Sequence, residues 1–292
     1  MEKQWAGTTY GNGWMHKWLI RILKHIDTRV LYVVVAVFVI PICLLINRSC
    51  GITYRYFRHQ HNYGRLKAAW NTYVNHCKFG QVVVDKFAMY AGKHFDIDIE
   101  GYEHYLALTD RAEGFIQLSS HVGNYEIAGY TLKADKKRIN ALLYFGEKAS
   151  VMQNRSRLFT DTNTNMIAIR PDMGHLFEID EALTKGEVVS IPADRIFGSK
   201  KTLTLHFLNN DAHFPYGPFS IATMRGLDVL AIHVLKTSWK KYHIVVTPLD
   251  YNKEATRREQ IAELSKKYVD ELERIVRHYP TQWFNYFEFW QT

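Results

Sequence analysis

From Val30 to Ile46 the chain runs seventeen residues without a charged side chain. A helix needs about 20 apolar residues to cross a hydrocarbon core of about 30 Å, so this run sits at the lower limit for a span and is also able to lie half-inserted. A cleaved leader ends in small residues, whereas this run ends in Asn47-Arg48-Ser49-Cys50, which predicts that it is retained. Ahead of it, Trp14, Met15, Trp18, Leu19, Ile22, Leu23 and Ile26 recur at helical spacing, with Lys17, Arg21 and Lys24 largely on the other side. That is the pattern of a helix lying in a membrane interface; its plainer alternative is a core helix. Trp and Lys/Arg beside an uncharged run favour membrane contact. Basic residues flank the run on both sides, and Pro41 permits a bend back to the same face, so no topology follows.

Charge is distributed to match. Residues 1–80 hold eleven Lys or Arg against two acids, a net +9 of the chain's +8, and the remainder is close to neutral. A nucleic-acid binder spreads its basic residues over a folded face; here they border the apolar run, and no nucleic-acid partner is expected. Cys43, Cys50 and Cys77 form no C-x-x-C and no ligand set, so neither a disulfide framework nor a metal site is expected. Residues 1–60 thus read as a basic, hydrophobic membrane anchor and 61–292 as the folded domain.

Residues 62–92 carry apolar positions at near-helical spacing and predict one or two amphipathic helices. Past Gly92, strand-like runs (95–99, 114–119, 139–145, 166–169, 188–191, 203–208, 229–235, 243–249) alternate with helix-like ones (122–134, 150–160, 175–184), and a long helix over 253–278 closes the series. Alternation of this kind implies an α/β fold with a mostly parallel central sheet flanked by helices.

The sequence lacks G-x-S-x-G, a P-loop, G-x-G-x-x-G and H-E-x-x-H, which removes most hydrolases, NTPases and dinucleotide enzymes. Three H-x4-[DE] pairs remain: His121/Glu126, His175/Asp180 and His206/Asp211. The second falls in a helix start whose apolar residues look structural. The third runs from a strand into Asn209-Asn210-Asp211, a turn cluster that should point His and acid apart. The first sits where strand 114–119 meets a helix, the end of an α/β strand at which ligands bind. A carboxylate there fixes the imidazole tautomer and raises its basicity, making His121 a candidate general base; the alternative is a capped helix with a satisfied His.

Ser120-His121-Val122-Gly123-Asn124-Tyr125-Glu126 resembles the H-[FV]-G-N-[WY]-E motif of the late lipid A acyltransferases, the lauroyl/myristoyl branch of the lysophospholipid acyltransferase superfamily. Four further stretches follow in that family's order. Ile169-Arg170-Pro171 is similar to its R-P element, and Gly186 to Arg195 is similar to its G-x-V-V…D-Q block, with Arg195 where Gln is usual. Phe214 to Ala222 is similar to T-G-P-A-x-L-A, and Tyr279-Pro280-Thr281-Gln282-Trp283-Phe284 to the terminal P-x-Q-W.

The resemblance implies a glycerolipid-acyltransferase-like fold and transfer of a fatty acyl chain from an acyl carrier protein or CoA thioester to a lipid A-like acceptor. No cofactor is implied. His121 is then the base and Glu126 its partner; Gly123 allows close approach to substrate, and Asn124 either caps the helix or meets substrate. Arg170 grips an anionic phosphate, or else pairs with Asp172; Asp194 and Arg195 are an internal pair or a further polar contact. Helix N–H groups near Val122 are oxyanion donors, and the aromatic tail from Trp283 to Trp290 lines an acyl groove or packs. Expected partners are acyl carrier protein, an anionic phospholipid membrane and the lipid acceptor, with the protein a monomer on the cytoplasmic face of the bacterial inner membrane. Two alternatives stand beside this: acylation of a lysophospholipid or aminolipid, and a non-catalytic lipid-binding protein.

Overall fold

The computed structural model describes residues 13–47, 49–132, 136–144, 163–170, 172–196 and 201–290. The expected helix over 150–160, together with Arg48 and Pro171, lies outside them. The apolar run forms one helix. After α1 (Gly13–His25), α2 spans Thr28–Ile46, 19 residues and about 28 Å at 1.5 Å per residue. A π turn over Val35–Val39 precedes Pro41 and absorbs the missing N–H, so the helix runs through the proline without turning back.

Helix α3 (Ser49–Arg55) leads to α4 (Arg65–Tyr90), on which the amino-terminal helices rest. Contact with α2 is close because Gly80 carries no side chain: a Cβ there would stand 2.6 Å from Val35 Cγ1. Tyr73 Oη donates to the Ala36 carbonyl at 3.1 Å. On α1, Leu23 is buried while Trp14, Trp18 and Ile22 face outward, so the predicted stripe is largely exposed. Of the basic residues past the run, Arg55 pairs with Glu288 and Arg58 with the Tyr63 carbonyl.

The domain is built on a seven-stranded sheet in the order β1-β9-β8-β2-β5-β3-β4, with β1 (Asp96–Glu100), β2 (Phe115–Gly123), β3 (Ile139–Tyr144), β4 (Thr164–Ile169), β5 (Val188–Pro192), β8 (Val229–Lys236) and β9 (Lys241–Pro248). All neighbours are parallel except β8 and β9. Central β2 and β8 are buried along most of their length, as crossover-covered strands must be, and β8 is largely apolar on both faces while β2 carries Gln117, Ser119 and Ser120. One face packs α5 (Tyr102–Thr109) and α6 (Tyr125–Thr131) over Phe115, Leu230, Ile232 and Val234. The other packs α7 (His175–Thr184), α8 (Gly217–Met224) and α9 (Arg257–His278) over Ile116, Leu118, Val189 and Ala231.

Two expectations are corrected. Strand β2 continues through Gly123, so the helix expected from Val122 begins at Tyr125. The supposed turn cluster opens a strand: β6 (Thr202–Phe207) and β7 (Asn210–Pro215) form a separate hairpin, which puts His206 directly across from Asp211 at 3.3 Å on its exposed side. A two-residue turn with Leu208 at φ 58° returns the chain there.

Candidate active site

The carboxyl end of β2 is irregular in a way that places one side chain. Ser119 pairs with Ile232 of β8 and Gly123 with Val234, so three β2 residues bulge opposite a single β8 residue. Several backbone groups of the bulge are tied. Ser119 O accepts from Tyr268 Oη and from Ala193 N, both at 2.9 Å, and His121 O accepts from Phe284 N at 3.0 Å. Asn124 N donates to Val234 O at 3.0 Å. Gly123, at φ +59°, lies so close to β8 that a Cβ would stand 1.8 Å from Val234 O.

The bulge turns His121 toward Asp194, two residues past β5. Asp194 is 0 % exposed and accepts three hydrogen bonds: from His121 N at 2.8 Å, His121 Nδ1 at 2.7 Å and Trp283 Nε1 at 3.0 Å. Burial works against its charge, yet the His121 ring and amide and the Arg195 guanidinium hold its carboxyl well below the usual range. An ionised Asp194 requires the proton on Nδ1 and leaves the Nε2 lone pair free; among the described residues Nε2 has no hydrogen-bond partner. Burial, then Arg195, push the His121 pKa down against the upward pull of Asp194, so the ring is neutral at neutral pH.

The expected partner, Glu126, is elsewhere. Because the helix starts late, Glu126 turns to α4 and pairs with Lys86 Nζ at 2.8 Å, the two side chains 8 % and 11 % exposed. Gly123 allows close approach of the β8 backbone, where substrate was expected. Asn124 occupies the N-cap position of α6, is buried, and makes no side-chain capping bond. The amides of Val122 and Gly123, expected as oxyanion donors, belong to the strand. Arg170, at the end of β4, pairs with Glu178 of α7 and not with Asp172. With β5 and β3 between it and β2, it stands on the order of 14 Å along the sheet edge from the β2 line. Arg195 is beside the dyad: its Nη2 donates to the Phe284 carbonyl, its guanidinium lies 4.8 Å over Phe287, and its buried Nε has no partner among the described residues.

Sequence reasoning missed Trp283 as a donor to Asp194, although the terminal motif had singled it out. Gln282 fixes that indole by pairing its amide with both backbone groups of Lys236, at 2.8 and 2.9 Å. Asn75 of α4 donates to the Thr281 and Trp283 carbonyls at 3.2 and 3.0 Å. Trp283, Phe284, Tyr286 and Phe289 are buried, so that part of the aromatic tail packs. A slot of about 50 Å³ lies under α6 among Gln117, Ser119, Tyr125, Ala128, Leu143 and Ile232. It has space for a few water-sized groups rather than a whole fatty chain. Among the described residues no cluster fit to hold a metal ion occurs.

A neutral imidazole oriented by a buried carboxylate, at the carboxyl end of a mostly parallel α/β sheet, is an arrangement able to activate a hydroxyl or amine for group transfer. The profile of the bacterial lipid A biosynthesis acyltransferases matches residues 83–292, well over half of the chain, and the chain belongs to that family. It is an acyltransferase acting on lipid, with an acyl donor and a lipid acceptor as substrates. Among solved structures it is similar to the 1-acyl-sn-glycerophosphate acyltransferase PlsC of Thermotoga maritima, at 16 % identity over 93 % of this chain and 100 % of that one. The TM-score of 0.37 marks a loose likeness. No curated protein matches it.

Proposed function

We infer that this enzyme moves a fatty acyl chain from an acyl thioester to a hydroxyl or amine of a lipid A-like acceptor at the membrane surface, with His121 as general base. The observation that carries the reading is the His121–Asp194 pair, with Nδ1 held at 2.7 Å and Nε2 without a partner among the described residues. His121 Nε2 takes the proton of the acceptor hydroxyl or amine as its oxygen or nitrogen attacks the thioester carbonyl carbon. The C–S bond then breaks, and the imidazolium returns the proton to the departing thiolate, giving ester or amide and free thiol. Asp194 keeps the ring in the required tautomer and stabilises its charged form. Arg195 Nε, buried and without a partner among the described residues, is the donor assigned to the carbonyl oxygen as it gains charge. Arg170, on the same sheet edge, is assigned to an acceptor or donor phosphate.

The outward Trp14, Trp18 and Ile22 of α1 and the largely exposed α2 support seating at a bilayer, which concentrates both the acyl chain and its acceptor. Three free cysteines suit a reducing compartment, hence the cytoplasmic face of the inner membrane, where an acidic acyl carrier protein meets the basic amino-terminal region. Lipid mass spectrometry of cells carrying the wild-type chain or His121→Ala tests this. The expected result is one extra acyl chain on a lipid A-type glycolipid, absent in the variant. Gain of that chain on a lysophospholipid would redirect the acceptor, and identical lipids in both strains would overturn the catalytic reading.

A further inference from the structure

The β8 residue that faces the bulge is His233, alone opposite Ser120, His121 and Val122. It is 1 % exposed, and its Nδ1 stands 2.9 Å from Ser120 Oγ. Its Nε2 is buried with no partner among the described residues, a cost that an apolar side chain would avoid. Burial keeps the ring neutral, with a pKa down to about 4, against the pull of Glu271 and Asp194 and with Arg274 pushing the same way. The chemistry proposed for His121 does not use this ring. Val229, Ala231 and Leu235 of β8 face α9, and His233 shares their side; Ile232 and Val234 face α6. Ser120 and His121 are consecutive in the bulge, so the same short stretch of backbone that holds the Ser120 hydroxyl on His233 also sets the facing of the His121 ring, whose own amide is held on Asp194 at 2.8 Å.

We propose that His233 is a positioning residue: by holding Ser120 Oγ it fixes the facing of the β2 bulge and so delivers the His121 ring to Asp194. The proposal rests on His121 being the base. It accounts for a buried imidazole retained with one nitrogen unsatisfied, and for a hydroxyl at the position just before the base.

The test uses the full chain in detergent micelles, with dodecanoyl acyl carrier protein as donor and a bacterial lipid A precursor extract as acceptor. Ser120→Ala removes the hydroxyl with little change of volume. His233→Leu removes the imidazole, and His233→Asn keeps a polar atom near the place of Nδ1. In Ser120→Ala and His233→Leu, kcat falls about ten- to hundredfold with KM within about twofold, the scale expected when a reacting group is displaced by about 1 Å. The acid limb of the kcat profile moves to lower pH, because His121 loses part of the carboxylate that favours its charged form. His233→Asn restores most of the rate. In ¹⁵N-histidine-labelled protein, the low-field Nδ1 proton of His121 weakens in the two damaging variants and returns in the rescue.

A Ser120→Ala enzyme with wild-type kcat and an unmoved acid limb overturns the proposal. So does a rate that falls only with the folded fraction, which would leave the pair a packing element. His121→Ala separates the two levels: activity surviving there removes the base assignment itself, whereas a dead His121→Ala beside a normal Ser120→Ala removes only the role of His233.

Discussion

Asp194→Asn and Glu126→Gln, compared side by side, decide which carboxylate serves the base. Two donors, His121 N at 2.8 Å and Trp283 Nε1 at 3.0 Å, converge on Asp194 Oδ2, whereas among the described residues Nδ1 alone faces Oδ1. In an asparagine, that convergence holds the carbonyl oxygen at the Oδ2 position and leaves the NH₂ group opposite Nδ1. The amide then donates to Nδ1, the ring proton moves to Nε2, and the lone pair that takes the substrate proton is gone. The same inversion in a serine-protease triad costs about 10⁴ in rate. A loss on the order of 10³–10⁴ in kcat is expected here, equivalent to roughly 4–5.5 kcal/mol of barrier. Glu126→Gln acts on a different quantity. It leaves Lys86 with a neutral partner in a largely buried place, costing about 1–3 kcal/mol of stability while kcat per folded molecule stays within a few-fold. The assay is steady-state acyl transfer by purified protein, normalised to the folded fraction from denaturant titration. A folded Glu126→Gln enzyme down a thousandfold, beside an active Asp194→Asn, would refute the assignment.

Three further outcomes follow from the same contacts. Gly123→Ala forces a Cβ to 1.8 Å from Val234 O at φ +59°, so the bulge must rearrange; loss of more than about 2 kcal/mol in unfolding free energy, with nearly complete loss of kcat, is expected. Lys236→Met removes the cation buried with Asp85, which Tyr32 and Tyr242 also contact, and should cost about 3–5 kcal/mol by chemical denaturation; the double change with Asp85→Leu should recover much of it. Burial holds both His61 and His233 at about 4, below the ordinary 6.5. Their neutral forms therefore contribute stability that is full above pH 6.5 and lost as pH falls toward 4, up to about 3 kcal/mol for a ring shifted this far. Unfolding midpoints measured from pH 7 to 4 check the slope, and replacing His233 by Leu should flatten part of it.

How much of this was legible in the sequence depended on range. Strands β3, β5 and β8, helix α7 and the long α9 follow the predicted runs to within a few residues, because burial on both faces and helical periodicity are local signals. The extension of β2 past Ser119 was not legible: it is imposed by β8, Tyr268 and the carboxyl-terminal segment, none of them near in sequence. Spacing therefore proposed Glu126, five residues away, where the fold supplies Asp194, 73 residues on. His206 and Asp211 failed in the opposite sense, since Asn209-Asn210 reads as a turn but the strand that resumes after it was unseen.

The resembling blocks also acquire physical meaning at the dyad. His121 comes from the first, Asp194 from the G-x-V-V block and the Trp283 indole from the terminal one, and the imidazole and indole both donate to the Asp194 carboxylate. Gln282 in turn clamps the backbone of Lys236, whose ammonium meets Asp85 of α4 and, at 3.2 Å, the hydroxyl of Tyr32 in α2. The apolar helix and the base are thus braced by adjoining contacts through the end of β8. Proteolytic removal of the amino-terminal helices would accordingly do more than release the domain from a bilayer: it would strip Asp85 and Lys236 of the Tyr32 hydroxyl and expose the pair beside the segment that orients Asp194. The expected result is a domain with lower kcat on detergent-dispersed substrate as well as lost vesicle binding. Full activity of the trimmed domain in detergent would show that the brace serves only to hold the helix.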